Sequence, residues 1–93
     1  MDHKYYDWDL KNNEWLKEHR EICFEDIVPI IEGDGQITIA PNPNAKKYPN
    51  QKIFVIDFKD YIYLVPFVED EEKIFLKTIY PSRKANKLFK KKI

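Results

Sequence analysis

Glycine is almost missing from this 93-residue chain, where Gly33 and Gly35 are the only two. Without a glycine cluster there is no phosphate-cradling loop, and nucleotide-cofactor chemistry of that kind has no support. A single cysteine, Cys23, excludes an internal disulfide and fits a reducing compartment, so a cytoplasmic location is the expectation. Two histidines, His3 and His19, supply no Cys/His metal spacing and no HExxH pair, and neither a cofactor nor a metal is assigned. No apolar run approaches the roughly 18 residues a membrane helix needs. No signal-peptide core follows Met1-Asp2-His3-Lys4, so neither membrane insertion nor secretion is expected.

What the chain does have is apolar and charged surface together, 43% hydrophobic with 15% aromatic and 34% charged residues. That composition fits one core under a well-solvated exterior, a single domain over residues 1–93, and not a disordered chain. The net charge is zero but unevenly spread. Met1 to Asp34 holds ten acids against four bases, whereas Lys73 to Ile93 holds eight bases and no acid. Such a basic end suits a phosphate backbone and the acidic end a basic partner; a lysine-rich solvated helix face is the plainer alternative.

Hydrophobic periodicity predicts an α+β fold with two N-terminal helices, a four-stranded antiparallel sheet and a C-terminal helix. Asp7 or Asp9 caps a first helix over Leu10–His19, with Trp15, Leu16 and His19 at helical spacing. Phe24, Ile27, Val28 and Ile31 repeat at helical spacing, with Pro29 expected near the first turn and Gly33 and Gly35 stopping the helix. Strands are expected over Gln36–Ala40, Gln51–Phe58, Tyr61–Glu69 and Ile74–Tyr80, with a proline- and asparagine-rich surface loop after the first. The joins at Lys59-Asp60 and Asp70 to Lys73 are short enough to force antiparallel neighbours. The strand Tyr61–Glu69 is apolar on both faces, so one face should meet helices and the other a partner or a stacked ligand. Pro66 inside it predicts a bulge or an unpaired edge. Ser82 caps the last helix, with Ala85, Leu88 and Phe89 expected inward and Lys84, Lys87 and Lys91 outward.

Five cations and one imidazole stand out as candidates for chemistry. His19 suits a general acid or base, although a helix C-terminus alone also favours a histidine there, while His3 sits near a terminus expected to fray. Lys77, expected mid-strand beside Phe75 and Ile79, would surround a phosphate with Arg83 and Lys84 at the start of the last helix; snorkelling and surface pairing are the alternatives. Lys52 and Lys87 are placed as further RNA contacts. Trp8 and Trp15 read as core anchors, Glu25 and Asp26 as first-turn acids, and Cys23 as buried packing.

Tyr6-Asp7-Trp8-Asp9, Lys11, Leu16, His19, Ile22 and Phe24-Glu25 resemble the N-terminal pattern of the BrnT family of type II toxins. Ser82-Arg83-Lys84-Ala85 is similar to the segment leading into that family's C-terminal helix, and Val65–Val68 with Phe75–Ile79 looks like a branch accompanied by ribbon-helix-helix antitoxins. The resemblance implies a RelE-like fold, metal-independent endoribonuclease activity, a small ribbon-helix-helix antitoxin as partner in a hetero-oligomer, and an RNA substrate. It carries His19, Glu25, Arg83 and Lys84 as matching positions. The chain departs from the pattern at Arg20, where glycine is common, and at Lys52 and Lys77, where arginine is; lysine lacks the bidentate fork. Catalysis is assigned to His19, Lys77 and Arg83, and RNA binding to Lys52, Lys84 and Lys87. A non-catalytic nucleic-acid-binding module and a protein-interaction module are the rival readings.

Overall fold

The computed structural model describes residues 4–33, 36–44 and 46–90; His3, Gly35 and Lys91 lie outside them. In chain order the elements are β1 (Tyr5–Asp7), α1 (Leu10–Arg20), α2 (Phe24–Glu32), β2 (Gln36–Pro41), β3 (Lys52–Phe58), β4 (Tyr61–Glu69), β5 (Lys73–Leu76), β6 (Tyr80–Pro81) and α3 (Arg83–Lys90). The α+β class and the three helices agree with the sequence reading, but the sheet is mixed, ordered β1-β5-β4-β3-β2 with β6 also on β4. The pairs β3–β4 and β4–β5 are antiparallel, as their short joins require, and β2–β3 is antiparallel across the longer proline- and asparagine-rich loop. Two corrections concern the edge. Tyr5–Asp7 adds a strand parallel to β5, too short to show an alternation in the sequence. The expected strand Ile74–Tyr80 is broken into β5 and β6.

The helices begin where the caps foretell. The Asp9 carboxylate accepts from the Lys11 N–H at 2.9 Å, and Lys17, His19 and Arg20 occupy the last turn of α1. Asn13, almost fully buried, fixes the corner to α2: its Oδ1 accepts from the Phe24 N–H and its Nδ2 donates to Glu25 Oε1, each at 2.8 Å. Pro29 lies inside α2, not in its first turn, and withholds the N–H that would bond the Glu25 carbonyl.

Helices α1 and α2 cover one sheet face, where Leu16, Phe24, Ile27 and Ile31 meet Phe54, Ile56, Val65, Phe67, Leu76 and Ile79. The Phe54 and Phe67 rings stack at 4.0 Å between centroids. On the other face α3 crosses β4, and Ile53, Val55 and Ile62 are buried, so this face is covered in part by the chain itself. Helix α3 sits differently from the expectation: Leu88 and Phe89 are 66% and 39% exposed, not inward. The half-buried side carries Ala85, Asn86 and Lys90. Polar contacts explain the rotation, because Asn86 Oδ1 accepts from the Ile62 N–H and Lys90 pairs with Asp57 and Asp60.

The break between β5 and β6 follows from Pro66. In the β4–β5 register Pro66 stands opposite Lys77, whose N–H donates to the Pro66 carbonyl at 2.8 Å. An ordinary residue would return an N–H to the Lys77 carbonyl; proline has none. Beyond this point the pairing shifts by one residue, from Phe67 with Leu76 to Leu64 with Tyr80. The bulge expected at Pro66 is therefore present. The orphaned Lys77 carbonyl accepts instead from Asn12 Nδ2 of α1 at 2.7 Å, and the Ile79 carbonyl from the Arg20 guanidinium at 2.6 Å.

Two measurements check this arrangement. Asn12→Ala should cost about 1 kcal/mol in urea unfolding, as a single hydrogen bond does. In a Pro66→Val background, where residue 66 regains its N–H, the same change should cost less than half as much, giving a coupling of about 0.5 kcal/mol or more. A second check concerns acid. The Asp70 carboxylate accepts from the Glu72 and Lys73 N–H groups at 2.8 and 2.9 Å, and these bonds hold it below the ordinary aspartate value. Its contribution is complete above the unfolded-state value near 3.9 and disappears as pH falls through the lower folded value. The urea midpoint should fall less between pH about 5 and 2 in Asp70→Asn than in the parent.

Candidate functional site

The basic end is built by a capped helix. Ser82 Oγ accepts from the Ala85 N–H at 3.1 Å and the Ser82 carbonyl from the Asn86 N–H at 2.8 Å, as the sequence predicts for an N-cap. Arg83 is the first residue of α3, and Arg83, Lys84 and Lys87 are all exposed. Among the described residues the ion pairs of α3 are those of Lys90, whose ammonium is raised above its ordinary value by hydrogen bonds to Asp60 and Asp57. The three other cations point to solvent beside a helix start that already favours anions.

Lys77 is displaced from its expected setting. It falls in the irregular stretch after β5, not mid-strand, because Pro66 ends the ladder there. Its side chain stays on the Phe75 side, with Nζ 5.5 Å from that ring's centroid, while Lys73 approaches the same ring at 5.7 Å and pairs with Asp7. Phe75 is thus flanked by two ammonium groups. Lys52, paired across the sheet with Phe67 and 3.9 Å from Glu69, lines one pocket with Lys73 and Phe75 but stands away from α3. That puts it at the opposite end of β4 from Tyr63, where β6 leads into α3. Phe67 is four residue steps along the strand from Tyr63, roughly 13 Å.

His19 stands on an aromatic platform that the sequence reading assigned to the core. Trp15 is 44% exposed, because α1 turns Asn13 and Leu16 inward and leaves Trp15 outside. The His19 ring stacks on Trp15 at 4.6 Å, and the Arg20 guanidinium carbon lies 5.0 Å from the Trp15 centroid. His19 Nδ1 lies 3.0 Å from the Trp15 carbonyl oxygen. A carbonyl only accepts, so Nδ1 carries the hydrogen and the neutral ring offers Nε2 to solvent as its acceptor. Trp8 does behave as an anchor, stacked on Phe24 at 5.4 Å. Arg20, noted in the sequence only as a departure from glycine, is the residue that ties this platform to Ile79 and so to the strand leading into α3.

The acids near α2 have structural work. The Asn13 amide lowers the Glu25 carboxyl from its ordinary value and orients it, and Cys23, half-buried at the N-cap and not fully packed away, donates from Sγ to Asp26 at 3.2 Å. Among the described residues no three His, Cys, Asp or Glu side chains cluster closely enough to hold a metal ion, and no helix is long and apolar enough to cross a membrane. No protein-family model matches the chain, no curated protein is detectably similar to it, and no solved structure matches it.

The exposed platform is directly measurable. Acrylamide should quench the parent mainly through Trp15: the quenching constant should fall sharply in Trp15→Phe and change little in Trp8→Phe. Because Trp15 keeps 44% of its surface exposed and phenylalanine retains an aromatic face for His19, the Trp15→Phe change should shift stability by no more than about 1 kcal/mol.

Proposed function

We propose that this chain is the toxin of a type II toxin–antitoxin pair, with a RelE-like arrangement, acting on RNA in the cytoplasm as a metal-independent endoribonuclease. The observation that carries the reading is the bond from Arg20 to the Ile79 carbonyl. It joins the end of α1, where His19 offers Nε2, to the short stretch through Ser82 that opens into Arg83. This bond ties a base on α1 to the segment that carries the unpaired cations, and a base with cations is the minimum that phosphoryl transfer from a neighbouring hydroxyl needs.

In the reaction, the ribose 2′-oxygen attacks the adjacent phosphorus as its proton passes to His19 Nε2. The bond from phosphorus to the 5′-oxygen breaks, leaving a 2′,3′-cyclic phosphate, and the departing 5′-oxygen takes a proton from solvent water as the His19 proton returns to solvent. Arg83 and Lys77 balance the charge that develops on the phosphoryl oxygens, while Lys84 and Lys87 hold flanking phosphates. Lys52, in the pocket with Lys73 and Phe75, would hold a phosphate farther from α3. The partner is a small ribbon-helix-helix antitoxin, basic enough to meet the acidic helices, bound as a hetero-oligomer.

Arg83→Ala should lower cleavage about 10²- to 10³-fold, roughly 3–4 kcal/mol of transition-state stabilisation. Parent and variant would be compared on total RNA in excess EDTA, with melting temperatures measured alongside. An arginine that served only solvation would alter stability by at most about 0.5 kcal/mol and leave the rate unchanged. If the parent never cuts RNA, with or without ribosomes, yet still binds it through α3, the chain is a nucleic-acid-binding module and not an enzyme.

A further inference from the structure

A groove on the opposite side of the molecule from α3 has no part in the RNA reading. It runs between β1 and α2, with Lys4, Tyr5, Tyr6 and Trp8 on one wall and Pro29 on the other, and with Glu25 and Glu32 along the helix side; Lys4 is itself neutralised by an ion pair with Glu69. Tyr5 is 56% exposed, and Tyr6 and Trp8 are half-buried against the core.

Two independent features define what would fit. The first is an open sheet edge. β1 ends the strand order, and the Tyr5 N–H donates to the Glu72 carbonyl at 3.2 Å. Alternation along a strand then turns the Tyr6 N–H and C=O away from β5, toward the free side. A helix cannot use those groups; an extended segment can, by adding a strand. The second feature is charge. Glu25 and Glu32 stand seven residues apart on α2, about 10 Å along its axis. They leave a negative wall beside aromatic rings, and an aromatic-lined, acidic slot favours lysine or arginine side chains, whose stems pack on rings while their heads meet carboxylates. Nucleic acid is disfavoured there by the same carboxylates.

We propose that this groove is a docking site for an extended, lysine- or arginine-bearing segment of a partner protein, which adds as a strand along β1 and places its cations on Glu25 and Glu32. The proposal deepens the antitoxin reading by naming the surface and the conformation of the bound segment, and it needs no RNA cleavage to be tested.

The probe is a short peptide of alternating lysine and valine, titrated into the full chain carrying Trp15→Phe, so that Trp8 reports alone, and followed by amide chemical shifts. Binding should move the Tyr6, Trp8 and Val28 amides, protect the Tyr6 N–H from exchange, and weaken at least about tenfold in Glu25→Gln/Glu32→Gln. The amide that Glu25→Gln introduces keeps an oxygen to accept from Asn13, so the corner of the fold is kept; Glu32→Lys, an exposed change, provides a second variant with the same expected loss. A glutamate–valine peptide should not bind. Unchanged affinity in the variants, equal binding of the acidic or a polyproline peptide, shifts confined to α1 or α3, or no binding at all would each overturn the proposal. So would self-association abolished by the same substitutions, which would make the occupant a second copy. Repeating the titration on Arg83→Ala separates this result from the fate of the RNA reading, since the groove should bind the peptide equally whether or not the chain cuts RNA.

Discussion

A single missing hydrogen governs how the helical layer meets the sheet. Because Pro66 has no N–H, the carbonyl of Lys77 lacks a ladder partner where β5 ends against β4. The chain answers by slipping the register once and by giving that carbonyl to Asn12 and the next free one to Arg20. Helix α1 is therefore held to the sheet by bonds to backbone as well as by apolar burial. The candidate site inherits its placement from the same event: Arg20 is both the clamp on Ile79 and the neighbour of the Trp15–His19 stack.

The charge asymmetry along the sequence becomes an asymmetry between faces. The acid-rich first third folds into α1 and α2 on one side of the sheet, and the basic last part into α3 on the other. Since the sheet core lies between them, the two sets of charge do not neutralise each other. The exception is Lys90, which reaches Asp57 and Asp60 at the β3–β4 turn, holds the Asp60 carboxyl below its ordinary value, and so anchors α3 while its other cations stay free.

Local signals carried much of the fold. Asp9 and Ser82 are caps because a side-chain oxygen one residue before a helical run satisfies an otherwise orphaned N–H, and both do so. The Lys59-Asp60 join is a two-residue turn, although both residues take the left-handed conformation with φ of 52° and 65° and neither is glycine. Pro66 announced its own irregularity. What sequence could not supply was everything decided by contacts across the chain. The pairing of Tyr5–Asp7 with β5 depends on residues near position 73. Trp15 and Leu16 are equally apolar neighbours, and only the direction in which α1 lies decides which is buried. Leu88 and Phe89 had the right spacing to face inward, but Asn86 and Lys90 found polar partners that turned them out. The cationic candidates were named from residue type, yet their grouping was a matter of tertiary position: Arg83, Lys84 and Lys87 share one helix, and Lys52 lies at the other end of β4.

The parallel pairing of β1 also sets an order of assembly. The hairpins from β3 through β5 close over short joins and can form from neighbouring residues, with β2 added across a longer loop. Tyr5 with Lys73, Asn12 with Lys77 and Arg20 with Ile79 span most of the chain and exist only once β5 has a place to lie. Loop-closure entropy puts such contacts after the local ones. The Trp15–His19 platform therefore reaches its place against the sheet only after β5 has been laid down beside β4.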